Sequence, residues 1–321
     1  MDNFDILVAN LLSPVILAFV LGVVAALVRS DLKLPSALYS GLSIYLLLAI
    51  GLKGGVELST TPFDVFAGPA VLTLFLGVLT PITSYAVLRK IGSLDRVNSA
   101  AIAAHYGSVS AVTFIVAVTF GTMTGVEPEG FMPALVAILE VPAIVVALMI
   151  AFMKEGRAGS WQDSLHEVLA GRSVILLAGG LLIGLLVGPE GFAPVEPFFK
   201  GGFQGALTLF LLEMGIVAAS RLQDLRQVGV FLIGFGILMP IVHGALAIWL
   251  ASYTGLSVSG AAVLAAMVSS ASYIAAPAAV RIALPEANPT YYLTASLGIT
   301  FPFNVTLGIP LYYTLAEYLI G

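Results

Sequence analysis

Two short runs of small, hydroxyl-bearing residues interrupt otherwise apolar stretches: Gly107-Ser108-Val109-Ser110 and Ser269-Ser270-Ala271-Ser272-Tyr273. Glycine and serine weaken a regular helix in such a setting, and Pro277 follows the second run. A helix interrupted there leaves free backbone N–H groups and a positive dipole end, which attract an anion. Irregular backbone at membrane depth is tolerated only where it is buried in protein or lines a cavity. Two such breaks facing each other would make a compact nest of amides and hydroxyls suited to a small anion. The competing reading is close helix packing, for which membrane proteins also use small residues.

Glu140 lies in mid-stretch, two residues before Pro142. A carboxylate inside a membrane is costly and marks a functional position by default. Hydroxyls and carbonyls beside it would be hard oxygen ligands of the kind alkali cations take. Thr300 and Asn304, around Pro302, supply such groups, and Ser108 and Ser270 are close enough in the pattern to share in them. These five residues are the expected sodium site. The alternative is a protonated or hydrogen-bonded glutamic acid at a helix interface.

Other polar residues in apolar surroundings carry weaker expectations. Glu213 could serve a second cation or a proton, or could hydrogen-bond a backbone break near Gly215. Lys53 and Glu57 have the spacing of a helical ion pair. His105, three residues before Ser108, could act as a base for a serine nucleophile, whereas His243 reads as a packed or interface histidine. There are no cysteines, which excludes disulfides, thiolate metal sites and cysteine nucleophiles. No phosphate-binding glycine loop, metal-ligand cluster or nucleic-acid patch is evident, so energy for transport would come from an ion gradient and no cofactor is expected beyond the coupling ion.

The elements that must position these residues are membrane helices. Of 321 residues 59% are hydrophobic and only 10% charged, with a mean hydropathy of +1.05. A soluble domain would carry about a quarter charged residues. Apolar stretches long enough to span a bilayer fall at about 6–28, 36–57, 63–88, 97–121, 130–153, 173–188, 197–219, 227–253, 258–282 and 290–319. With ten spans and both termini outside, eleven of the 13 Lys and Arg fall in cytoplasmic loops, and only Lys53 and Lys200 on the other side, as the positive-inside rule requires. The acidic start, Met1 to Asp5, and the absence of a small-residue cleavage site predict no cleavable signal peptide. Residues 154–172 read as a cytoplasmic connector, either plain or with a short amphipathic helix around Trp161, Leu165, Val168 and Leu169.

The halves on either side, 1–153 and 173–321, resemble each other. Ile50-Gly51-Leu52 matches Met214-Gly215-Ile216 at an offset of 164. The serine clusters match at 162, and Glu140-Val141-Pro142 matches Thr300-Phe301-Pro302 at 160. With five spans per half, the second copy enters the membrane from the opposite side, giving an all-α protein of two inverted five-helix repeats with helices 4 and 9 broken. Inverted repeats of this kind place a substrate site near the midplane.

The run from Ser270 through Pro277 and Arg281 to Asn288, and the run from Ser296 to Tyr313 with Gly298-Ile299-Thr300-Phe301-Pro302-Phe303-Asn304, resemble the C-terminal signature of the sodium-dependent bicarbonate transporters of cyanobacteria and other bacteria. Gly51-Leu52-Lys53-Gly54-Gly55, Leu212-Glu213-Met214-Gly215 and Gly107–Ser110 extend the similarity over nearly the whole chain. The resemblance implies sodium-coupled bicarbonate import in a multi-pass protein of the bacterial inner membrane. It further implies a homotrimer, an elevator-like motion of a core against a scaffold, and inhibition by a PII-like protein from the cytoplasm. Two departures stand out. The family typically has aspartate before Ile-Pro where this chain has Glu140 before Val141-Pro142, and its central loop is longer. Against this reading stand transport of another small anion, a channel, and an intramembrane serine hydrolase built on Ser108 or Ser110.

Overall fold

The computed structural model describes residues 8, 11–152, 166 and 169–321, and among these every regular element is helical. In chain order they are α1 (Pro14–Leu27), α2 (Ser36–Thr60), α3 (Phe63–Lys90), α4 (Arg96–Gly107), α5 (Ala111–Met123), α6 (Met132–Phe152), α7 (Arg172–Phe192), α8 (Glu196–Gly201), α9 (Phe203–Leu222), α10 (Leu225–Ala251), α11 (Val258–Val268), α12 (Ala275–Ala283) and α13 (Pro289–Ile320). The expected amphipathic segment around Trp161 lies outside the described residues, apart from His166 and Leu169.

Among the described residues, seven stretches are long and apolar enough to cross a membrane, while Pro14–Leu27, Met132–Ala147 and Val258–Val268 are shorter apolar helices. The stretches expected at 97–121 and 258–282 are each two helices, separated at 108–110 and 269–274. The sixth ends its regular helix near the expected bound, at Gly188, whose positive φ (59°) makes a kink, and a further short helical stretch carries the chain on to Phe192. The last helix is not broken at Pro302. It widens into π-helical turns at Thr294–Thr300 and Asn304–Gly308, on either side of the proline that cannot donate to the ordinary ladder.

Side chains set the helix starts. Ser13, Asp95, Ser110, Ser257 and Asn288 each accept a hydrogen bond from a first-turn N–H, at Ile16, Asn98, Thr113, Gly260 and Thr290 respectively. Glycine sets the packing. A Cβ on Gly51 would lie 2.6 Å from the Leu177 carbonyl oxygen, on Gly55 2.1 Å from that of Leu181, and on Gly184 2.2 Å from that of Leu52. The backbones of α2 and α7 therefore touch, with both helices running the same way. Gly22 and Gly215 join α1 to α9 in the same manner, at 2.0 Å from Leu212 O and 2.1 Å from Phe19 O. Small residues allow this approach, which in a bilayer supplies the packing that the hydrophobic effect does not. Gly184→Leu is expected to cost about 3 kcal/mol by overpacking and to lower the melting temperature by roughly 5 °C. Gly179→Leu, where nothing lies within 4 Å of the new Cβ, should leave it unchanged. Thermal unfolding of the two detergent-solubilised variants checks this.

A second group of helices surrounds the breaks. α3 packs on α4 and α6, and α10 packs on α11 and α13. The broken pair α4–α5 is nearly enclosed, with 94% of its most apolar window buried, whereas the corresponding figure for α7 is 17%. Apolar side chains along α7, including Ile175, Leu182 and Leu186, consequently face outward. Two polar straps tie the connecting loops to the broken helices. Ser257 N donates to Glu129 Oε1 (2.6 Å) at the start of α11, and Asn288 N donates to Asn98 Oδ1 (2.8 Å) in the first turn of α4.

Candidate functional site

The two breaks meet. Ser110 N, freed by the interruption after α4, donates to Ser270 Oγ (2.8 Å), and Ser270 Oγ donates in turn to Met267 O (2.6 Å). Ser272 N donates to the carbonyl of His105 (2.8 Å), so each break supplies a partner that the other's helix lacks. Ser108 Oγ donates to Glu140 O (3.2 Å), which fixes α6 against the first break. Ser108, Ser110, Ser269, Ser270 and Ser272 are all buried.

Beside this crossing lies a small cavity lined by Val109, Ser110, Ala111, Glu140, Ser173, Ser272, Tyr273 and Ile274. Three helix starts converge on it. Ser110 is the N-cap of α5, Ser272 Oγ accepts from Ala276 N in the first turn of α12 (3.3 Å), and Ser173 is in the first turn of α7. First-turn N–H groups and the positive ends of three helices make the cavity favourable to an anion. Glu140 is the carboxylate in its wall. The side chain is 3% exposed, and Oε2 has no hydrogen-bond partner among the described residues. A buried carboxylate oxygen with nothing to pair it is costly unless a cation or proton joins it.

The residues expected from the sequence divide into those in the cavity and those behind it. Val109, Ser110, Ser272, Tyr273 and Glu140 line it. Gly107 packs between α3 and α6, where a Cβ would lie 2.8 Å from Pro81 and 2.9 Å from Ala143. Ala271 is buried in the core. Asn304 Nδ2 donates to Ser269 O (2.9 Å) and Oδ1 accepts from the Tyr312 hydroxyl (3.0 Å), so it holds the second break from behind. Thr300 Oγ1 donates to Gly236 O (2.6 Å) and accepts from the Tyr106 hydroxyl (2.6 Å), joining α13 to α10 and α4. Ser173, Ala111 and Ile274 complete the lining without having stood out in the sequence. The only sequence signal for Ser173 is its place just after Gly171-Arg172, where an apolar run begins.

Four further expectations resolve into contacts. Glu213 Oε2 accepts from Leu34 N (3.1 Å), while Gly215 is a close-packing contact with α1. Lys53 and Glu57 form no ion pair. Lys53 Nζ lies over the Phe203 ring, 5.8 Å from its centre, while Glu57 lies against Gly130, so the two side chains leave their shared helix face for different neighbours. His243 Nε2 is 2.8 Å from Thr83 Oγ1, bridging α10 and α3. His105 does not reach Ser108. Its Nδ1 is 2.7 Å from Ala101 O and its ring stacks on Tyr292, while Ser108 Oγ donates to Glu140 O, so the two do not form the hydrogen-bonded nucleophile–base pair of a serine hydrolase.

Comparison with known proteins adds one match. Residues 14–317 match a family described as the Na+-dependent bicarbonate transporter superfamily. A search of curated proteins gives no match.

Proposed function

Since the chain belongs to the Na+-dependent bicarbonate transporter superfamily, which comprises transporters and not enzymes, we propose that it imports bicarbonate by symport with sodium, through a site at the crossing of its two broken helices. The observation that carries this reading is the cavity itself: three helix N-termini favouring an anion, with one unpartnered carboxylate in the same wall. An anion placed there meets both attraction and repulsion. Two like charges about 4 Å apart at an effective dielectric of about 20 repel by about 4 kcal/mol, nearly three orders of magnitude in binding. Sodium at Glu140 removes that repulsion, so the anion site is complete only when the cation is present. Ser108 braces the backbone of Glu140 and Ser270 braces the crossing. Thr300 and Asn304 contribute from the layer behind, by holding the second break and the π-helical turns in place. Glu213 remains a candidate for a second cation or a proton, through the oxygen not engaged by Leu34.

The same reading covers the architecture. Contacts recur in matched pairs: α1 with α9 and α2 with α7, α3 with α4 and α10 with α11, and the Glu129 and Asn98 straps. This pairing supports ten spans in two inverted five-helix repeats, residues 1–153 and 173–321, joined by the connector 154–172. It is a multi-pass protein of the bacterial inner membrane with both termini outside. The resemblance adds a homotrimer and a PII-like cytoplasmic regulator. Uptake of labelled bicarbonate into proteoliposomes tests the function. An inward sodium gradient is expected to drive accumulation that potassium does not. Equal uptake with either cation would overturn the coupling, and acetate or nitrate competing as well as bicarbonate would move the cargo to another small anion.

A further inference from the structure

One wall of the cavity comes from outside the group of helices that carries the breaks. Ser173 belongs to α7, which packs chiefly on α2 through Gly51, Gly55, Gly180 and Gly184 and only lightly on α6 and α12. The residue capping α7 is Gly171, which offers no side-chain cap, so the donors of its first turn are not taken up by a capping side chain. Ser173 is itself buried, and its hydroxyl hydrogen-bonds to none of the described residues. Glu140 lines the same cavity, also without a partner for Oε2. The first turn of α7 therefore presents unsatisfied donors to the space where a charge-compensated anion would sit.

We propose that Ser173 and the first turn of α7 form the third side of the anion site, so that a bound anion bridges the α2–α7 pair and the broken-helix group. This rests on the transport reading above and adds a consequence to it. The anion acts as a latch between the two groups in the conformation described here, and moving the broken-helix group past α7 requires that this contact be given up.

The chain has no cysteines, so a single thiol can be placed at the position without background. The test follows the rate at which a methanethiosulfonate reagent modifies Ser173→Cys in proteoliposomes, with bicarbonate and sodium each present or absent. Bicarbonate with sodium is expected to slow modification about tenfold, and either ion alone to do much less. An unchanged rate, in a preparation that still shows sodium-dependent uptake, overturns the proposal. A companion pair guards against a thiol that the reagent never reaches. Ser173→Ala is expected to raise the KM for bicarbonate about tenfold, as loss of one hydrogen bond to a charged group does. Ser173→Thr, which keeps the hydroxyl, is expected to stay near wild type, and equal KM values for all three proteins overturn the proposal. Protection by formate or nitrate in a protein that does not take up bicarbonate would sink the bicarbonate reading and leave the latch standing.

Discussion

Glu140→Gln should abolish sodium-driven accumulation of bicarbonate, lowering it at least about 100-fold, while leaving a slow, sodium-independent exchange of the anion. The isosteric amide keeps the shape of the wall and removes its charge. On the proposed coupling, the anion then no longer meets the repulsion of about 4 kcal/mol that sodium would cancel, and sodium loses its proposed anionic ligand. Counterflow of labelled bicarbonate with no sodium on either side measures the residual exchange. A variant that accumulates bicarbonate with the wild-type dependence on sodium would show that Glu140 is only a buried carboxyl group at a helix contact. Loss of both activities together would leave its role in binding but remove it from coupling.

The second large effect is expected at Ser270. Its hydroxyl accepts from Ser110 N and donates to Met267 O, so one oxygen joins the two breaks. Ser270→Ala leaves the Ser110 N–H buried without an acceptor, at a cost of about 1–3 kcal/mol. Because that N–H adjoins the cavity, the cost should appear in transport as a ten- to hundredfold fall in kcat/KM, with a smaller fall in melting temperature. Ser269→Ala is the control, because what joins the second break to Asn304 is the Ser269 carbonyl, which the substitution keeps. Similar losses in the two variants would mean that the breaks tolerate separation and that the crossing is not the site.

Much of this architecture could be read from residue pattern, and the reasons differ by element. The breaks were legible because glycine and serine clustered in an apolar run weaken the helix they interrupt, and because the cluster occurs twice at nearly the same offset. Glu140 was legible because charge inside a membrane is rare. The π-helical turns around Pro302 were not, since a proline within a helix can equally produce a kink, a break or a widened turn, and only the packing of Tyr106, Gly236 and Ser269 decides between them. Lys53 and Glu57 misled for a related reason. Spacing along one helix puts two side chains within reach, but Phe203 on a neighbouring helix and Gly130 in the loop before α6 offer each a different contact. Ser173 could not be found from the sequence, because a serine in a first helical turn is commonplace and only its place in the same cavity as Glu140 gives it meaning.

The glycine contacts between α2 and α7 also bear on how the protein is made. α2 ends at Thr60 and α7 begins at Arg172, so more than a hundred residues are synthesised before α2 can meet the backbone it is shaped to touch. At roughly 5–20 residues per second, that interval is on the order of ten seconds. Throughout it, the nascent chain holds a helix whose glycine-lined face has lipid or insertion machinery against it instead of α7. The first half is thus committed to the membrane before it can be committed to its fold, and a ribosome stalled in the connector would leave behind an inserted but unfinished chain for quality control to remove.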